Sequence, residues 1–259
     1  MSDGVKIEQR NEGARLALTL SRPKQRNAIT VAMYAALADA ITGAANDPAV
    51  RVITIEGEGE DFTAGNDLYD FLKDMPQPGA DADVPVWRLL RALADNDIPL
   101  VAAVHGNCVG IGTTLLLHCD FVLAETGAKF RMPFVDLGLV PEAASSLIFP
   151  RLAGRRAAAR YILLAEPFGA ETALAIGIAS HVVPAGGLFE ALDQIVAALL
   201  AKPAEALRQT QRLLRAADRA EIHDRMEVEN SHFTERLASD EVKQVIAAFF
   251  AARAKASAA

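Results

Sequence analysis

The sequence predicts an α/β fold that passes into a C-terminal helical subdomain. Three observations predict it. Short β-compatible runs alternate with helical segments along the first half of the chain. From Glu142 onward the pattern is almost wholly helical, broken by one brief strand at 181–183. Two glycine-containing loops join a strand to a helix, one at 62–68 and one at 106–112. The expected organisation is a core domain over 1–200 and a helical subdomain over 201–259.

Residues 14–20, ARLALTL, read as a strand, with a hairpin turn at Asn11-Glu12-Gly13 before it. Thr30 is placed to cap a helix running to about residue 45, with Met33, Leu37, Ala40 and Ile41 on one face. Asn46-Asp47-Pro48 stops it. Residues 50–55 read as a strand, 67–73 as a short helix and 75–85 as a Pro/Gly/Asp-rich surface loop. A helix follows over 87–95, a buried strand over 99–104 and an apolar helix over 111–118. Strands are expected at 121–125 and 129–132. The pattern then places a helix from Glu142, and closing helices near 203–216, 219–238 and 240–253.

Composition bounds the function. The chain has 259 residues, 51% of them hydrophobic, enough for a full core. Its formal charge of −7 leaves no cationic surplus for a nucleic-acid backbone, so an anionic ligand must be met by a few local cations. Cys108 and Cys119 have no metal-site or disulfide spacing and read as buried free thiols. His118-Cys119-Asp120 is one compact run, not a metal site. No signal-like or membrane-spanning run stands out, so a cytoplasmic setting without membrane or nucleic-acid partners is expected.

The two glycine loops carry the chemistry. At the start of a helix, backbone N–H groups lack intrahelical partners, and the helix dipole adds positive potential. Two such groups converging on one point would make an oxyanion hole. Spacing alone also fits two ordinary glycine-containing turns.

RPKQRNAIT (22–30), FTAGNDL (62–68), AVHGNCVGIGTTLLLHCD (103–120) and LGLVPEAASS (137–146) together resemble, in order and spacing, the signature segments of the crotonase, or enoyl-CoA hydratase/isomerase, family. The resemblance covers roughly 5–255. It implies a fold of repeated ββα units and an acyl-coenzyme A thioester as substrate. No cofactor beyond the coenzyme A moiety is implied. It gives the thioester oxygen to the backbone N–H groups of Asn66 and Ile111. Lys24 and Arg26 would meet phosphates, or remain solvated loop charges. Ala28, Ala64, Asp67, Leu68 and Gly110 would border the coenzyme and the thioester. The family assembles as trimers or pairs of trimers, and VIAAFFAARA near the C-terminus suits a buried interface or a docked helix.

The hydratases of this family share one water between two glutamates, and the matching positions here are Thr114 and Phe134. Neither is an acid or base. Glu142, following Pro141, falls where the single base of Δ3,Δ2-enoyl-CoA isomerases lies. One carboxylate can take a proton from C2 and return one to C4. Burial would raise its pKa, while a helix N-terminus would lower it. The leading expectation is therefore an isomerase using Glu142. A 2-enoyl-CoA hydratase with water held by Thr114 or Asp136 is the second, and a silent acyl-CoA-binding module the third. His105 reads as structural. Ser145 and Ser146 lack a His-Asp partner pattern and are not expected as nucleophiles.

Overall fold

A computed structural model describes residues 4–73 and 84–257. The expected loop over 75–85 lies, except for Val84 and Pro85, outside them.

The chain opens with β1 (Val5–Arg10) and β2 (Arg15–Leu20), paired antiparallel. Their turn holds Asn11, Glu12 and Gly13 at positive φ, as the hairpin reading requires. Then come α1 (Val31–Ala44), β3 (Val52–Gly57), α2 (Leu68–Lys73) and α3 (Pro85–Asp95). Thr30 Oγ1 accepts the Met33 N–H at 3.2 Å, the expected cap, a contact that contributes about 1 kcal/mol. Met33, Leu37 and Ile41 are buried. The strand expected at 50–55 begins at Val52; Arg51 lies just before it, its N–H donating to Ala14.

Next are β4 (Leu100–Val104), β5 (Asn107–Val109), α4 (Ile111–Thr114), β6 (Phe121–Glu125) and β7 (Lys129–Arg131). The helix expected over 111–118 is α-helical for one turn only and tightens to a 3-10 helix over Leu115–His118. The remainder is α5 (Ser145–Ala153), α6 (Arg155–Ala158), β8 (Phe168–Gly169), α7 (Ala170–Ala175), β9 (His181–Val183), α8 (Leu188–Leu200), α9 (Ala204–Ala216), α10 (Arg219–Ala238) and α11 (Asp240–Ser257).

Six strands form one sheet in the order β1-β2-β3-β4-β6-β9, parallel except for the first pair. A second small sheet holds β5-β7-β8. Isolated bridges Thr63↔Cys108 and Ile29↔Asn66 add two further short segments to the loop region. The chain thus repeats one step: a strand in the large sheet, a short strand or bridge in the second layer, then a helical turn. β3–Thr63–α2 and β4–β5–α4 are two such ββα steps. β5 and β8 carry too few residues for an alternating pattern, which is why the sequence reading passed over them.

α10 and α11 do not form a separate core. Met226, Phe233, Leu237, Val242 and Ile246 join the same buried cluster as the strands. Among the described residues no helix is long and apolar enough to cross a membrane.

Candidate active site

The two glycine loops are laced together by backbone. Thr63 N–H donates to Asn107 at 2.9 Å and Val109 N–H donates to Thr63 at 3.0 Å. A β-carbon on Gly65 would lie 2.9 Å from the Val109 carbonyl oxygen, and the residue's φ is +89°. One on Gly112 would lie 2.3 Å from Thr63 Cγ2. Only glycine lets the loops approach this closely. A third strand of chain ties in from the other side. Ala64 N–H donates to Arg26, Ile29 N–H to Gly65 and Asp67 N–H to Ile29. The fully buried Asn27 donates to the carbonyls of Glu58 and Asp61 at 2.8 and 2.7 Å.

This lacing brings Asn66 and Ile111 to one cavity of about 440 Å³. Ile111 is the first residue of α4, so its N–H has no partner within the helix. Among the described residues, the Asn66 N–H has no acceptor outside regular structure either. Ala64, Leu68, Gly110 and Phe134 also line the cavity. Phe233 and Leu237 from α10, with Val245 and Ile246 from α11, close it. Arg131 and Asp136 share its wall and pair at 2.7 Å.

The other expected contacts lie elsewhere. Lys24 lines a different cavity, of about 770 Å³, with Arg22, Thr30 and Asp70. Arg26 is 70% exposed at its side chain and approaches Asp61 at 3.8 Å. Asp67 does not border the cavity. Its carboxylate is held at 2.9 Å by Arg22, which also donates to the Ala28 carbonyl. A positive guanidinium within reach outcompetes solvent or ligand for that carboxylate.

Glu142 is 3% exposed. It does not open a helix, contrary to the sequence reading. α5 starts only at Ser145, because Ala143 and Ala144 both adopt left-handed conformations, φ +62° and +54°. Each such residue costs on the order of 1–2 kcal/mol and persists only where its surroundings hold it. Both are completely buried. His118 Nε2 meets the Ala143 carbonyl at 2.8 Å. Burial pulls the pKa of this histidine down to about 4, so the ring is neutral and Nε2 must carry the donated proton.

Thr114 is likewise fully buried and does not line the cavity. Its hydroxyl donates to Glu142 Oε1 at 2.5 Å. Burial pushes the Glu142 carboxyl up to about 8, against the lowering effect of the Thr114 hydrogen bond and with a further upward push from Glu229. Desolvation therefore outweighs the donor. Glu142 does not line the cavity, but Tyr34, whose partner Asn66 does, lies within its electrostatic reach. The Tyr34 hydroxyl donates to the Asn66 side-chain oxygen, and the negative charge of Glu142 adds to burial in raising the Tyr34 pKa.

Tyr34 and Glu229 were passed over in the sequence. Tyr34 lies in a helical run and reads as one more apolar core residue, and Glu229 lies in a charged helix. Nothing local distinguishes either. His105, at a strand end, holds the Gly59 carbonyl at 2.8 Å through Nε2, a structural contact. Cys108 and Cys119 are free, and burial raises both thiols. Among the described residues no cluster of three or more His, Cys, Asp or Glu side chains could hold a metal ion.

The family model described as enoyl-CoA hydratase/isomerase matches residues 10–256. The chain belongs to the enoyl-CoA hydratase/isomerase family. This crotonase-type enzyme is 32% identical over 244 residues to 1,2-epoxyphenylacetyl-CoA isomerase of Escherichia coli (strain K12), with 92% of each chain covered. It is 31% identical over 239 residues to 2,3-dehydroadipyl-CoA hydratase of the same strain, again with 92% of each covered. Among solved structures it matches Pseudomonas aeruginosa OdaA with a TM-score of 0.90 and 39% identity, covering 96% of this crotonase-type chain and 99% of that one. Its relatives are thus named both as isomerases and as hydratases.

Proposed function

We propose that this chain binds an acyl-coenzyme A thioester and moves a double bond from C3–C4 to C2–C3. The observation that carries this reading is the buried carboxylate of Glu142, braced by Thr114 and within electrostatic reach of Tyr34, the partner of Asn66. The N–H groups of Asn66 and Ile111 would receive the thioester oxygen. Negative charge developing there is stabilised most by donors already fixed in place. Glu142, as carboxylate, removes a C2 proton and leaves a dienolate. The same group, now the acid, delivers that proton to C4. Nothing is gained or lost overall. A pKa of about 8 keeps both protonation states accessible near neutrality.

Because Glu142 does not line the cavity, the acyl chain must extend beyond it for C2 and C4 to reach that carboxylate. Positions 114 and 134 support the isomerase reading, since Thr114 and Phe134 offer no second acid or base. One observation favours hydration instead: Asp136 lines the cavity and supplies another carboxylate that could hold a water. Lys24 and Arg26 remain candidates for the coenzyme phosphates, the protein is read as cytoplasmic, and assembly as a homotrimer or pair of trimers completes the proposal. Turnover of 3-enoyl- and 2-enoyl-CoA across chain lengths tests it. Faster conversion of the 3-enoyl thioesters is expected, and hydration of crotonyl-CoA far above isomerisation would favour the hydratase.

A further inference from the structure

The N-terminus of α5 lies immediately after Glu142 and has an unusual cap. Its N-cap residue is Ala144, which has no side-chain acceptor to offer. The Ser146 N–H is instead taken at 2.9 Å by Glu229 Oε1, from α10, far along the chain. The Ala144 N–H also faces this carboxylate. Glu229 is itself 5% exposed, and its second oxygen has no hydrogen-bond partner among the described residues. A carboxylate this deep is costly unless it is held for a purpose.

We propose that Glu229 is a positioning residue for Glu142: its carboxylate clamps the Ala144–Ser146 backbone that directly follows Glu142. The inference rests on the reading of Glu142 as the proton carrier. Two consequences follow from one side chain. As an acceptor, Glu229 holds one flank of the left-handed Ala143–Ala144 turn, while His118 holds the other through the Ala143 carbonyl. As a charge, it disfavours ionisation of Glu142 and so keeps that group protonated to higher pH. The groups facing Glu142 come from three elements: Tyr34 on α1, Thr114 on α4 and Glu229 on α10. His118 is neutral, and Arg225 acts on Glu229. Of these, Glu229 is the one negative charge beside Glu142. The helix that closes the cavity through Phe233 and Leu237 therefore also sets the acid–base group.

The test separates the two roles. In Glu229→Gln the amide oxygen still accepts the Ser146 N–H but the charge is gone. The acidic limb of kcat/KM for a 3-enoyl-CoA should shift to lower pH, with kcat at high pH little changed. In Glu229→Ala the clamp is lost as well. Its kcat should fall by up to about 10²-fold, as for a small misplacement of a reacting group, with KM little changed. Glu229→Gln should recover most of that loss. Circular dichroism of both variants checks that they fold, and the isosteric Gln variant alone suffices for the pH readout. A pH profile unmoved in Glu229→Gln, measured alongside a Glu142→Gln control that has lost activity, overturns this inference and leaves the Glu142 reading standing. Activity retained in Glu142→Gln overturns both.

Discussion

The two glycine loops and the Glu142 turn lie side by side yet are built in opposite ways. The loops are a backbone device. In the proposed reading Asn66 and Ile111 contribute N–H groups, and what the sequence must supply is glycine at Gly65 and Gly112, where a side chain would collide. The Glu142 turn is a side-chain device. Its carboxylate takes its properties from Thr114, Tyr34 and Glu229, which come from three separate elements. The first region tolerates almost any side chain that leaves the backbone in place. The second depends on the identity of each neighbour, and so in the proposed reading it is where the reaction type is decided.

The sharpest way to break that comparison is Glu142→Gln. The shape is kept and proton transfer is lost, so kcat on a 3-enoyl-CoA should fall about 10²–10⁴-fold, the usual worth of a general acid–base group. Thioester binding, followed by calorimetry with a saturated acyl-CoA, should be nearly unchanged. Gly65→Val attacks the other region. It places a branched side chain at positive φ against the Val109 carbonyl and should displace the Asn66 N–H. Loss of one such donor costs on the order of 10²–10³-fold in kcat. The pH profile should keep its midpoint, because the environment of Glu142 is untouched.

How much of this was legible beforehand follows the same division. Spacing alone left Gly65, Gly110 and Ile111 in what could be ordinary turns, and only the four motif segments together singled them out. Glu142 could be read from LGLVPEAASS, but the start of its helix could not. Nothing in Ala143-Ala144 announces two left-handed alanines, since that geometry is imposed by burial, His118 and Glu229. Asp67 was misplaced for a related reason: its partner Arg22 lies in another loop. Contacts made across long stretches of sequence leave no local pattern.

A smaller effect is expected at Thr114. With the carboxyl at about 8, the base form of Glu142 grows as pH rises, so wild-type kcat/KM should climb through about pH 8 and level above it. Thr114→Val removes a donor that favours the charged form. The acidic limb should move to higher pH, and activity at neutral pH should drop while the high-pH plateau survives. This is opposite in sign to Glu229→Gln. The smallest effect belongs to Tyr34→Phe, which removes the hydrogen bond to Asn66 and leaves the ring in place. One such bond is worth about 1 kcal/mol, so kcat should fall by roughly tenfold or less without a change in pH midpoint.

The central claim is that one buried carboxylate carries the proton from C2 to C4. A 3-enoyl-CoA deuterated at C2, turned over in ordinary water and analysed by mass spectrometry and NMR, tests this most directly. Carriage of the proton by Glu142, which is 3% exposed, should place deuterium at C4 of the product. A product whose C4 carries only solvent hydrogen from the first turnover would contradict the account.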